Sequence, residues 1–159
     1  MANIAAKIEE MMDEPCYLID IFPYTVPKTP DGRYFAVEEY FQQNRREWNE
    51  KFGRLLLKLY CYYDFWVSAG EESAENPQPD LLAQWIGRCL EGRRGLLHIV
   101  LPQCNSMIVL SGDDLYMSLY HPDPRLKGLI AQLAGAEGLF FYPAPETPGR
   151  MESEKPRCF

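Results

Sequence analysis

The chain is predicted to fold as a single α+β domain, a mainly antiparallel sheet with helices packed on it. Three observations carry that expectation. Residues 96–120 hold three short apolar runs joined by tight turns, the pattern of an antiparallel meander. Elsewhere, apolar residues recur every three or four positions, which marks amphipathic helices. The chain has 159 residues, 47% hydrophobic and 25% charged, the composition of one globular domain that can bury its core without disulfides or structural metal.

The elements follow in order. The N-terminal stretch 1–14 reads as a short amphipathic helix with Ile4, Ile8 and Met11 or Met12 on one side. Cys16 to Phe22 is rich in β-branched and aromatic residues, so a strand is expected over 16–22; Pro15 and Pro23 at its ends point to a short or edge strand. Pro23, Pro27, Pro30 and Asp31-Gly32 make 23–33 a loop. From Tyr34 the period changes to that of a long helix, with Val37, Phe41, Trp48, Phe52, Leu55 or Leu56, and Leu59 as its stripe. Residues 61–68 could extend this stripe through Tyr63 and Trp66, but their density of strand-favouring residues favours a break near Tyr60 and a strand over 61–68. Residues 69–80, with Glu71, Glu72 and Glu75, read as an acidic loop. Asp80 is placed to cap a second helix with Leu81, Leu82, Trp85, Ile86, Cys89 and Leu90 on its inner face.

The meander comprises Leu96–Leu101, Ser106–Leu110 and Leu115–Tyr120. Asp123-Pro124 then opens a helix, with Asp as cap and Pro at the first helical position. Gly135 or Gly138 ends it, and a last strand is expected over 139–142. The domain is thus 1–144. Residues 145–159, with Pro148, Gly149 and Pro156, have too little apolar surface to order alone and read as a disordered tail.

Charge and motifs exclude more than they assign. The net charge of −7 argues against general affinity for nucleic acid or an anionic membrane. No apolar run approaches the roughly 20 residues of a membrane-spanning helix. Lys7 followed by four acids interrupts any secretory signal, so a cytoplasmic location is expected. Cys16, Cys61, Cys89, Cys104 and Cys158 lack any two-residue spacing, so reduced thiols and no bound metal are expected. No nucleotide-binding, zinc-protease or nucleophile-elbow motif occurs, and no cofactor is expected.

The candidate sites are few. A histidine base must be His98 or His121, the only two in the chain. His98 is expected on a strand, facing away from Leu97 and Ile99. Cys104 follows it across one turn, so a thiol–imidazole pair is a possible arrangement. Asp113-Asp114 reads as turn chemistry more than as a cation site. Arg45, Arg46, Lys51, Arg54 and Lys58 concentrate positive charge on the long helix, interleaved with Glu47 and Glu50 as a solvated face. The least ordinary feature is Tyr60, Tyr62, Tyr63, Phe65, Trp66. As a strand it sends one set of rings to the core and leaves Tyr62 and Trp66 on the other side, where Tyr and Trp suit a binding surface.

The expected function is therefore a small acidic cytoplasmic protein-interaction module: an adaptor, an inhibitor or an immunity-type binder, engaging a protein partner or a second copy through aromatics. The competing expectation is a small enzyme or ligand-binding domain with a pocket near His98 and Cys104 or near His121.

Overall fold

The computed structural model describes residues 4–13, 15–27, 31–92 and 95–145. In chain order the elements are α1 (Ile4–Met12), β1 (Cys16–Asp20), α2 (Arg33–Gln43), α3 (Arg46–Leu59), β2 (Trp66–Ala69), β3 (Glu72–Glu75), α4 (Pro79–Gly92), β4 (Leu96–Leu101), β5 (Ser106–Ser111), β6 (Tyr116–Tyr120), α5 (Pro124–Ala136) and β7 (Phe140–Pro143). The seven strands form one sheet in the order β3-β2-β4-β5-β6-β1-β7, every neighbouring pair antiparallel. The α+β architecture and the meander are as the sequence implies.

The two faces of the sheet are used unequally. Alternation along β4 sends Leu97, Ile99 and Leu101 into the main core, where β5 adds Ile108 and Leu110 and β6 adds Met117 and Leu119. Onto that face α3 packs Phe52, Leu55, Leu56 and Leu59, α4 packs Leu82, Trp85 and Ile86, and α5 packs Leu126 and Ile130. On the reverse face α1 covers Val100 and Met107 with Met11, flanked by Ile4, Ile8 and Trp66.

Asp123 caps α5 as expected: its Oδ1 accepts the Leu126 N–H at 2.8 Å, with Pro124 opening the helix. The far end closes with Leu139 N donating to Ala134 O at 2.8 Å and Gly138 N to Gly135 O at 3.1 Å. Gly138 sits at φ 75°, the left-handed terminator that these two bonds need. Glu137, the C-cap, is only 7% exposed.

Five expectations need correction. The long helix is two helices, because Asn44 and Arg45 fall where the apolar stripe skips from Phe41 to Trp48, and the chain turns there. Residues 61–65 are not strand: Cys61 N and Tyr62 N donate to Lys58 O and Leu59 O as α3 unwinds, and β2 begins at Trp66. The acidic loop contains β3, which pairs with β2 across a turn at Gly70, φ 65°. The base of this hairpin is closed by Asn76, which exchanges bonds with both Phe65 backbone groups. Helix α4 starts at Pro79, whose fixed φ suits a first helical position, so Asp80 lies inside the first turn. Strand β1 ends at Asp20 rather than Phe22; of the two readings its flanking prolines allowed, it is the short strand and not the edge, pairing with β6 and β7.

Candidate protein-interaction surface

The histidines and Cys104 do not assemble a catalytic group. His98 is half-buried on the reverse face, opposite Ser68 of β2 and Val109 of β5. Burial alone pushes its imidazole below its ordinary value, so it is neutral near pH 7. Cys104 lies in the β4–β5 turn and packs against the main core on the opposite face. Burial pushes its thiol up, partly offset by bonds from Ser106, which leaves it protonated and a poor nucleophile. His121 is exposed, in a left-handed conformation at φ 57°, with Nδ1 3.2 Å from Asn105 O. The Ser106 hydroxyl ties the two turns together, donating to His121 O at 2.7 Å. No hydrogen bond joins the thiol to either imidazole among the described residues.

Two clefts among the described residues lie elsewhere, and neither is lined by His98, Cys104 or His121. The larger, about 640 Å³, runs between the α2–α3 elbow and α4, past Asn49, Gly53, Ile86 and Gly87. The smaller, about 410 Å³, lies between β2, α4 and β4. Among the described residues no three His, Cys, Asp or Glu side chains are grouped to hold a metal ion, and no helix is long and apolar enough to cross a membrane. Cys61, Cys89 and Cys104 are thiols; Cys158 and the tail from 146 lie outside the described residues.

The cationic helix is more internal than a solvated face. Arg46 and Arg54 do pair with Glu50, at 3.5 and 3.9 Å, and Lys51 with Glu47 at 4.0 Å. However, Arg54 and Lys58 also clasp buried Glu137 at 2.8 and 3.0 Å, and Lys51 Nζ donates to Glu137 O at 2.7 Å. Those contacts fasten α3 to the end of α5. Arg45 is buried at the elbow, where its guanidinium donates to Gly112 O, Asp114 O, Gln42 Oε1 and Asn49 Oδ1. Asp113-Asp114 is a turn, as expected, with Asp113 N bonded to Ser111 Oγ at 3.2 Å.

Of the two aromatics singled out by the sequence, Tyr62 is 61% exposed in the turn after α3, whereas Trp66 is half-buried beneath α1. Tyr62 stands at the far end of α3 from α2, a helix about 20 Å long. The two do not form one surface.

Exposed apolar residues are concentrated elsewhere, in and just before α2. Among the described residues eight large apolar side chains are substantially exposed, and three of them, Phe35 (57%), Val37 (37%) and Tyr40 (61%), lie within the eleven residues of α2. A fourth, Tyr24 (68%), lies in the loop leading to it. Within α2, Tyr34 and Phe41 face the body, while Phe35, Val37 and Tyr40 are uncovered among the polar Arg33, Glu39 and Gln43.

Its mounting is definite. Tyr34 packs against Phe22, and Phe41 meets Trp48 edge-on at 5.2 Å. The exposed Phe35 ring is backed edge-on by Tyr34 at 5.4 Å, and Tyr40 by Phe41 at 6.0 Å. At the C-terminal end Asn44 Nδ2 caps Tyr40 O, Gln42 Nε2 donates to Asp113 O at 2.8 Å, and Arg45 clamps the elbow. The helix is held in place at both ends while its outer apolar positions stay uncovered.

The sequence points to 60–66 for the binding aromatics, passes over Tyr24, Phe35 and Tyr40, and puts Val37 on a buried stripe, whereas it is exposed. The signal was present: six of the eight residues 34–41 are apolar, more than one buried stripe can absorb. No protein-family model, curated protein or solved structure matches the chain.

Proposed function

We propose that this chain is a non-catalytic protein-interaction module, an adaptor, inhibitor or immunity-type binder, and that α2 is its docking helix. The observation that carries the reading is the exposure of Phe35, Val37 and Tyr40 on one firmly mounted helix. Exposed apolar groups clustered in this way mark interaction sites far more often than isolated ones do. Phe and Tyr bring large contact area with few rotatable bonds, so a single well-seated ring can supply about 2 kcal/mol of binding free energy. A helix already fixed at both ends loses little conformational freedom on binding, which raises affinity for a given contact.

A photo-crosslinking amino acid introduced at position 35 or 40, with position 132 on the outer side of α5 as control, tests this in the native cell. The expected result is one dominant crosslinked species shared by positions 35 and 40 and missing at 132. A uniform background at all three positions would remove the docking role.

A further inference from the structure

We infer that the partner taken by α2 is a protein with a basic face, presenting Lys or Arg around an apolar centre. This rests on α2 being the docking helix and adds the chemistry of what docks.

The acids around α2 set the sign. The helix itself carries Glu38 and Glu39, and the structure brings further acids to it. The turn holding Asp113 and Asp114 is bonded to Gln42 and Arg45, which places both aspartates beside the C-terminal end of the helix. Glu39 lies on its exposed side.

The nearby cations do not cancel this. Arg33 is paired with Asp31 at 2.8 Å, Arg45 is buried among backbone carbonyls, and Arg46 beyond the elbow pairs with Glu50. What α2 leaves uncovered is a pair of rings, Phe35 and Tyr40, with Glu39 between them and the Asp113-Asp114 turn at the C-terminal end. Carboxylates attract ammonium and guanidinium groups at long range, and the faces of Phe and Tyr accept them at contact. A second copy is a poor occupant on the same grounds, because it sets acid against acid with a charge of −7 on each chain.

Random peptides displayed on phage and selected against the immobilised full chain supply the probe. The expected outcome is enrichment of peptides with net positive charge and at least one large apolar residue. Their binding should fall about tenfold or more between 0.1 M and 1 M NaCl, as the Debye length drops from about 10 to about 3 Å. It should weaken in Glu39→Lys/Asp113→Lys and vanish in Phe35→Ser/Tyr40→Ser. Enriched peptides that are neutral or acidic, or insensitive to salt, yet lost in Phe35→Ser/Tyr40→Ser, would overturn the basic partner and leave the docking helix standing. A concentration-dependent dimer abolished by the same double variant would also overturn it, with a second copy as occupant. Peptides that bind the double variant as well as the parent, or no enrichment at all, would remove the docking reading itself and this inference with it.

Discussion

Replacing Glu137 by Gln removes a buried charge from the junction of α3 and α5. The carboxylate sits at the end of α5, with its side chain 6% exposed. One oxygen accepts from Arg54 Nε at 2.9 Å and the other from Lys58 Nζ at 3.0 Å. The cationic partners are half-exposed, so they regain water when the carboxylate is neutralised. The loss therefore falls between that of a surface pair, about 0–1 kcal/mol, and that of a fully buried one, about 3–5 kcal/mol. We expect about 2 kcal/mol, or a fall in Tm of about 4–8 °C for a domain of this size. Urea denaturation measures it, with an unchanged slope showing that the unfolding transition is otherwise the same.

The pH dependence follows from the same contacts. The hydrogen bond from Arg54 holds the Glu137 carboxyl below its ordinary value of 4.5, against the opposing effect of burial and with help from Lys58. A depressed carboxylate contributes stability that is complete above its unfolded value and is lost as pH falls through its folded value. The difference between parent and Glu137→Gln should accordingly be largest near neutrality and shrink below about pH 4.5. A loss under about 0.5 kcal/mol at pH 7, or a difference that grows in acid, would refute the staple.

Two further outcomes are expected. Gly138→Ala should destabilise by about 1–2 kcal/mol, since the residue is at φ 75° and an added Cβ would lie 3.2 Å from Lys51 Nζ; thermal melting that matches the parent would show the turn relaxing freely. Trp66→Ala should cost about 2 kcal/mol or more in urea while Tyr62→Ala costs less than about 0.5, because Trp66 packs beneath α1 and Tyr62 is exposed; the opposite order would reverse their assignment to core and surface.

Much of the fold was legible because its signals are local. The meander has a turn after each apolar run, and Asp123-Pro124 states the start of α5 in two residues. What escaped is what depends on distant partners. Strand β3 has no apolar alternation of its own; Glu72, Ser73 and Glu75 are strand because β2 offers them a ladder and Asn76 closes it. The reach of Arg54 and Lys58 to Glu137 spans about eighty positions and adds to the longer local pair of Arg54 with Glu50, which spacing suggests. The break at Asn44-Arg45 was readable in the skipped turn of the stripe. Its consequence was not: a helix cut loose from α3 keeps Val37 exposed, where a continuous stripe would have buried it.

The docking role of α2 turns on whether Phe35 and Tyr40 serve folding, and equilibrium urea denaturation of Phe35→Ser/Tyr40→Ser decides it. Serine matches Phe and Tyr in helix propensity, so backbone preference is nearly unchanged. With each ring already more than half exposed, the burial forfeited is under half of the roughly 1.5–3 kcal/mol of a fully buried side chain. The expected loss is about 2 kcal/mol or less for the pair, with native circular dichroism retained. A loss of about 5 kcal/mol or more, the cost of removing two core aromatics, would show that both rings belong to the core and contradict α2 as a docking helix.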